Sequence, residues 1–337
     1  MIRILCLNQA PLSEAQEHYL LGLRVISGET KCFSPHQAFS QKDERLEPHE
    51  LASKASFLSF GKRPLPEKTL KDLQQEDAFV TMDWPSFEWV DKSPTRDQFH
   101  VHIACDLPAK KTLALLVKHP PKKLFAISSF LADKLSRGGL SRSLVEVLYP
   151  PLPKEGAPKK ATQGFFTIGA VSDLLPQQGL ESLIQAFQQN QEFLPQARLI
   201  LVGDGPEKKR LLWLVDQLHL RSRIQLVSKQ ADYHRFLPNL DVFVAANLHP
   251  QPWNEALAHA LNLGIPSVAS TIGCHEEMIE QGKTGLLFEP GNSSVLGQHL
   301  INLYSHADWM AHYQKSGPMW VADHASQEVF TKIWLSV

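Results

Sequence analysis

The chain has 337 residues, 34 basic and 35 acidic side chains and a formal net charge of −1, which favours two domains of ordinary size and argues against a general nucleic-acid binder. Its four cysteines, Cys6, Cys32, Cys105 and Cys274, stand far apart with no paired spacing, against a disulfide framework or a zinc site and in favour of a reducing cytosol. Met1 to Leu7 alternate like a strand and not like a signal peptide, and uncharged apolar stretches such as Thr112 to Val117 are far too short to cross a bilayer.

In chain order, the pattern predicts strands at Ile2–Leu7, Ser56–Phe60, Ala78–Met82, Phe99–Ala104, Leu124–Ser128 and Val145–Tyr149. Amphipathic stretches such as Glu14–Leu23 and Ser129–Ser136 lie between them. A linker follows, marked by Pro150, Pro151, Pro153, Gly156 and Pro158. The scheme then repeats, with strands at Phe165–Val171, Arg198–Val202, Ile224–Val227, Val242–Ala245 and Pro266–Ala269. Helices fit Leu180–Gln188, Pro206–Leu218, Asn254–Leu263 and Ser293–Tyr304, and a last isolated helix lies around Ser326–Trp334. Strands alternating with helices imply parallel sheets covered by helices. The expected division is a first domain over 1–155, a second over 156–312, and a segment 313–337 whose helix crosses back to the first domain.

Gly169, Gly203, Gly205 and Gly273 read as lying at or just beyond strand ends. Glycine there either turns the chain or lets backbone N–H groups approach a phosphate, and both readings stay open. In the first half, His100 and His102 share one face of a strand. Two histidines without a firm third ligand make a weak metal site, and none is expected. Asp83, Trp84, Cys105 and Asp106 stand near the same strand ends. Residues 107–145 hold Lys110, Lys111, Lys118, Lys122, Lys123, Lys134, Arg137 and Arg142 against Asp133 alone, a local charge of +7. With Leu113, Leu115, Leu116 and Val117 this segment suits either an ordinary solvated helix face or peripheral contact with anionic lipid.

Several segments of the second half carry a resemblance. They are "IGAVSDLLPQQGLESLIQAF" (168–187), "LILVGDGPEKKRL" (199–211), "LDVFVAANLHPQPWNEALAHALNLGIPSVAS" (240–270) and "GCHEEMIEQGKTGLLFEPGN" (273–292). A weaker fifth is "MWVADHASQEVFTKIW" (319–334). In order and spacing they resemble the nucleotide-binding domain of retaining GT-B glycosyltransferases of the family 4, or group 1, type. The resemblance implies an α/β protein of GT-B architecture, two Rossmann-like domains facing a cleft. The first would be an acceptor domain and the second would take a nucleotide sugar. It implies a metal-independent, cofactor-free transfer with retention, from a nucleotide-activated sugar to a glycan or lipid-linked acceptor, in the cytoplasm or peripherally at the inner face of a membrane. His102 or Asp106 would face the cleft from the first domain. Gly169, Gly203, Gly205, Gly273 and Glu277 would line the donor site, and no nucleic acid is expected as a partner.

The chain departs from the family where charge matters most. Asp173 stands at the position of an arginine that contacts the donor diphosphate, and Gln178 at that of a lysine. Gln251 and His259 replace two glutamates that contact the donor sugar and the ribose. A close charge pair at an effective dielectric near 20 is worth about 4 kcal/mol gross, so losing two cations and adding Asp173 reverses the local field. Gln251 still hydrogen-bonds hydroxyls, His259 donates to a ribose hydroxyl, and Glu255, one turn earlier, is placed for a shifted role. Two functions remain in view: an active transferase, with Gln251 orienting the sugar and Lys208 or Lys209 replacing the missing cations, and a degenerate GT-B protein that binds a partner or glycan without catalysis.

Overall fold

The computed structural model describes residues 3–5, 13–27, 32–33, 78–91, 99–154, 164–228 and 233–336. It divides into two compact units, Met1–Pro151 with Gln327–Val337, and Leu152–Ser326. The strand expected at Ser56–Phe60 and most of the loop after the first strand lie outside the described residues.

The first unit is built on a parallel sheet in the order β2-β1-β3-β4-β5-β6. Its strands are β1 (Arg3–Leu5), β2 (Cys32–Phe33), β3 (Ala78–Thr81), β4 (Phe99–Ala104), β5 (Lys123–Ala126) and β6 (Val145–Val147). Helices α1 (Glu14–Ser27), α2 (Trp84–Asp91), α3 (Lys110–Lys118) and α4 (Ser129–Arg137) alternate with them. The reason for α4 is visible in its residues. The Ser128 hydroxyl accepts the Leu131 N–H at 3.2 Å, and Leu131, Ala132 and Leu135 bury one stripe. By contrast α3 buries only Thr112 and Leu116, which is why its basic sequence read equally well as surface.

The second sheet runs β12-β11-β10-β7-β8-β9, all parallel. The strands are β7 (Phe166–Val171), β8 (Ala197–Val202), β9 (Ile224–Val227), β10 (Val242–Ala245), β11 (Ser267–Ser270) and β12 (Leu286–Phe288). The helices are α5 (Leu180–Gln189), α6 (Lys208–Gln217), α7 (Glu255–Asn262), the single turn α8 (His275–Met278), α9 (Ser293–Ser305) and α10 (Ala307–His324). On α5, Leu180, Leu183, Ile184 and Phe187 form a helical stripe on the core. The chain winds from β7 outward through β8 and β9, then returns to β10 and winds the other way. Strand order therefore reverses between β7 and β10, and the crevice outside their carboxyl ends is where open α/β sheets bind ligands.

The last helix, α11 (Gln327–Trp334), belongs to the first unit. Trp334 stacks on Phe125 at 5.7 Å and Phe330 lies 6.1 Å from the Tyr19 ring. Gly22 makes room for Phe330 and Pro151, and its carbonyl accepts from Gln327 Nε2 at 3.2 Å. Helix α10, by contrast, packs within the second unit. Gly317 comes up against the Leu261 backbone, and the Trp320 indole donates to the Glu277 carbonyl at 3.0 Å.

Candidate functional site

In the second unit the loops after β7, β8 and β10 meet at the reversal point. Gly169 corrects the reading of it as a strand-end glycine. It sits inside β7, paired with Ile200 and Phe243, and the Leu240 side chain fills the space a Cβ would need. Gly203 and Gly205 make room for backbone: a Cβ on either would overlap the carbonyl oxygen of Ser172 or Asp173. The Gly203 N–H is taken by the Val227 carbonyl at 2.8 Å. Between these contacts Leu174 is buried with φ of 45°, a left-handed conformation unusual for leucine. It is held by its N–H to Ser172 Oγ at 3.1 Å and by its carbonyl, which accepts from Glu207 N at 3.0 Å.

The two positions where cations were looked for are now placed. Asp173 is exposed on the β7 loop. Gln178 is half-buried and its Oε1 accepts from Asn247 Nδ2 at 2.7 Å, which laces the β7 loop to the β10 loop. Leu248 N–H reinforces this by donating to the Gln177 carbonyl at 2.7 Å, and Gly179 (φ 66°) avoids the Ala246 carbonyl. Lys208 is held by Asp204 at 2.7 Å, and Asp204 also accepts from the Ser228 hydroxyl. Lys209 is exposed. Arg210 bridges Glu207 and Glu181 at 2.5 and 2.7 Å.

The β10 loop is shaped by a polar clasp that the sequence did not reveal. Gly273 (φ 62°) lies against the Gln251 backbone, and Cys274 N–H donates to the Gln251 carbonyl at 3.2 Å. Asn254 caps α7, its Oδ1 accepting from Leu257 N at 3.1 Å, while its Nδ2 lies 2.9 Å from His275 Nε2. His275 Nδ1 is 3.1 Å from the Ser270 carbonyl, which can only accept. The Nδ1 therefore carries the proton, Nε2 accepts, and Asn254 donates to it. Burial holds His275 down at about 4, with the Ser270 hydrogen bond opposing, so it stays neutral. Burial also pushes the neighbouring Cys274 thiol well up, with Glu277 adding to it, so this cysteine is no ready nucleophile.

On α7, Glu255 and His259 lie on one face, 3.7 Å apart from Oε1 to Nε2, as their spacing predicts. Trp253 Nε1 donates to the other oxygen of Glu255 at 3.0 Å. His259 is buried and meets the His234 ring edge-on at 4.6 Å, with Tyr233 stacked on His234 at 4.2 Å. Glu277 is half-buried on α8. Among these groups Asn247 and His234 carried no sequence signal, because Asn247 acts through a partner distant in sequence and His234 through an aromatic contact.

In the first unit, Thr81 and His102 are register partners on β3 and β4, and His100 lies on the same face. The Thr81 hydroxyl lies 2.8 Å from His100 Nε2 and 2.7 Å from His102 Nδ1. Phe87 of α2 covers both rings and Trp84 sits 4.5 Å from His102. Burial lowers His100 to about 4; burial and then His100 lower His102 well below its ordinary value. Asp106 follows β4. Desolvation raises its carboxyl, the Trp84 side chain and its own N–H oppose this, and Asp83 raises it further. Of the basic segment, Lys123 pairs with Glu146 at 2.5 Å and Arg142 with Asp133 at 3.5 Å. Lys110, Lys111, Lys118 and Lys122 are exposed, and Val117 beside them is 42% exposed.

Residues 165–306 match the family model described as Glycosyl transferases group 1. The second unit thus holds a segment similar to group 1 glycosyltransferase domains. The match takes in the loops after β7, β8 and β10 with α7 and α8, but not α10; His102 and Asp106 also lie outside it. The chain is 32% identical over 107 residues to N-acetyl-alpha-D-glucosaminyl L-malate synthase of Bacillus anthracis, 32% of this chain and 28% of that one. It is 24% identical over 164 residues to alpha-monoglucosyldiacylglycerol synthase of Acholeplasma laidlawii, 48% of this chain and 40% of that one. The chain thus spans less than half the length of these curated relatives in the matched region. Among solved structures, Anabaena Alr3699/HepE in complex with UDP and glucose matches with a TM-score of 0.81 at 19% identity, over 99% of this chain and 98% of that one. Beside the unit that holds this segment stands a second parallel-sheet unit, and the fold is of the GT-B glycosyltransferase kind. Among the described residues no helix is long and apolar enough to cross a membrane.

Proposed function

We propose that the chain is a glycosyltransferase that moves a sugar from a nucleotide-activated donor to a glycan or lipid-linked acceptor, with retention and without a metal. The observation that carries this is the group 1 match itself, over a segment whose β7 and β10 loops are laced by Gln178 and Asn247 at the strand-order reversal. In this reading Gln251 orients the donor sugar, and His259 with Glu255 takes the ribose hydroxyls. His102 and Asp106 serve on the acceptor side. Backbone N–H groups stabilise the leaving phosphate, with the exposed Lys209 as the accompanying cation, since Lys208 and Arg210 are held by carboxylates. The Anabaena structure holds UDP and glucose, which makes UDP-glucose the first donor to try. Release of UDP by the wild-type protein, lost in Gln251→Ala, supports the reading; no nucleotide release from any of a panel of nucleotide sugars and acceptors defeats it.

A second reading is favoured by one observation. Asp173 stands exposed where a diphosphate-binding cation is expected, and Lys208 is engaged by Asp204. A protein so arranged binds nucleotide diphosphates poorly and serves as a binding module. Calorimetry with UDP at physiological salt separates the two, since micromolar or tighter binding contradicts the second reading.

The exposed lysines of α3 and the segment after it, with Val117 between them, support peripheral contact with an anionic bilayer. Sedimentation with vesicles of phosphatidylcholine containing phosphatidylglycerol is expected to carry the protein down at low salt and release it at high salt. Binding unchanged by Lys110→Glu with Lys111→Glu and Lys118→Glu rejects this contact.

A further inference from the structure

The Thr81 hydroxyl has one hydrogen and two histidine nitrogens within hydrogen-bond distance, His100 Nε2 at 2.8 Å and His102 Nδ1 at 2.7 Å. His102 is fully buried, and its other nitrogen, Nε2, has no hydrogen-bond partner among the described residues. If Thr81 donated to His102 Nδ1, the neutral ring would carry its proton on Nε2, leaving a buried N–H without an acceptor. That is the arrangement proteins avoid most consistently. If His102 donates from Nδ1 to Thr81, the hydroxyl hydrogen goes to His100 Nε2 and His102 Nε2 keeps a bare lone pair. His100 then carries its proton on Nδ1, which is not among the buried unpartnered atoms, so the fully buried orphan is an acceptor, the milder case. The indole of Trp84, 4.5 Å from the His102 ring, and Phe87 at 5.2 Å hold that ring in place.

We infer that Thr81 is a positioning residue that fixes His102 in its Nδ1–H form, so that His102 Nε2 accepts a hydrogen bond from a hydroxyl of the sugar substrate. His100 completes the arrangement by accepting from Thr81, which explains a second histidine on the same face of β4. The chain thereby distinguishes a hydroxyl-bearing ligand, which can donate to Nε2, from a carbonyl or ether oxygen, which cannot. The inference rests on the reading of His102 as a substrate-side residue, but its proton arrangement is a property of the free protein.

Long-range 15N–1H correlation spectra of the uniformly 15N-labelled full chain near pH 7 test it, with the His102 signals assigned by their loss in His102→Gln. The expected result is a protonated Nδ1 and an unprotonated Nε2 for His102. A protonated Nε2 overturns the inference. Thr81→Val keeps the branched shape and removes the hydroxyl; it is expected to lose the single Nδ1–H form, while Thr81→Ser keeps it. An unchanged tautomer in a folded Thr81→Val also overturns the positioning role. Should Thr81→Val not fold, the wild-type tautomer and the Thr81→Ser spectrum still decide. Where donor turnover is measurable, Thr81→Val lowers kcat severalfold with KM for the donor little changed, and Thr81→Ser restores it. A wild type that shows the Nδ1–H form and turns over no donor leaves this arrangement standing and defeats the transferase reading instead.

Discussion

At the scale of single residues, charge and protonation dominate. Asp173 is exposed on its loop, so changing its charge need not disturb the fold, whereas Gln178→Lys also gives up the acceptor of the Asn247 amide. Asp173→Arg with Gln178→Lys is expected to tighten UDP binding about tenfold or more, since each 1.4 kcal/mol is about a factor of ten. The gain shrinks as salt rises, because it is electrostatic. Calorimetry at two ionic strengths reads both effects, and a gain insensitive to salt contradicts the explanation. His275 supplies a pH prediction. Its folded value of about 4 lies below the ordinary 6.5, so the unfolded chain binds the proton more readily and stability rises with pH. The contribution is fully present above 6.5 and is lost as pH falls to about 4. The difference corresponds to roughly 3 kcal/mol at about 1.4 kcal/mol per pKa unit. Urea melts between pH 7 and 4 are expected to show this loss, and His275→Gln, which keeps an amide able to bond Asn254, removes its share and leaves that of the buried His100 and His102.

At the scale of elements, the loops after β7 and β10 combine strain with close packing. Leu174 is left-handed and buried. Glycine there relieves a conformational cost of about 1 kcal/mol but removes a buried side chain, which costs about 2–5 kcal/mol. Burial wins, so Leu174→Gly is expected to lower stability by a few kcal/mol in denaturant melts; a more stable variant shows that strain is the larger effect. Asn254 combines two roles. Asn254→Ala removes the α7 cap, worth about 1 kcal/mol, and leaves the buried His275 Nε2 without its donor, about 1–3 kcal/mol more. Asn254→Asp keeps the cap but brings an acceptor to that nitrogen, so it is expected to recover only the cap. An aspartate variant as stable as wild type contradicts the His275 tautomer assigned above. Most elements were legible in the sequence. Phe99–Ala104, Ile224–Val227 and Val242–Ala245 read as strands and are strands over those residues, because continuous β-branched and aromatic runs between turn residues leave little alternative. Helix α10 was not read, because Pro318 lies inside it and proline ordinarily interrupts the helical pattern.

For the whole molecule, α11 poses the clearest question, since Gln327–Val337 completes a unit whose other residues end at Pro151. Removing it strips Phe330 and Trp334 from the core around Tyr19 and Phe125, and loss of a large aromatic costs about 3–5 kcal/mol. A chain ending at Ser326 is expected to lose hydrogen-exchange protection in β4 and β5 while β7, β8 and β10 keep theirs; equal loss in both sheets contradicts the independence of the two units. What the sequence by itself determined is the class of the molecule. Alternating periodicities dictate parallel α/β units, and the glycine turns and donor-segment spacing of 168–292 are local patterns that survive without knowledge of neighbours. The charge change at Asp173 and Gln178 was equally legible, since it needs only residue identity. Only the tertiary structure decided which groups complete the site. Gln178 with Asn247, Asn254 with His275, and Thr81 with two histidines are pairs between separate segments, and no periodicity encodes a contact across a sheet. The same holds for the glycines. Whether Gly169, Gly203 and Gly273 serve a ligand or another stretch of backbone depends on what stands within reach of the missing Cβ, and here Leu240, Ser172 and Gln251 stand there.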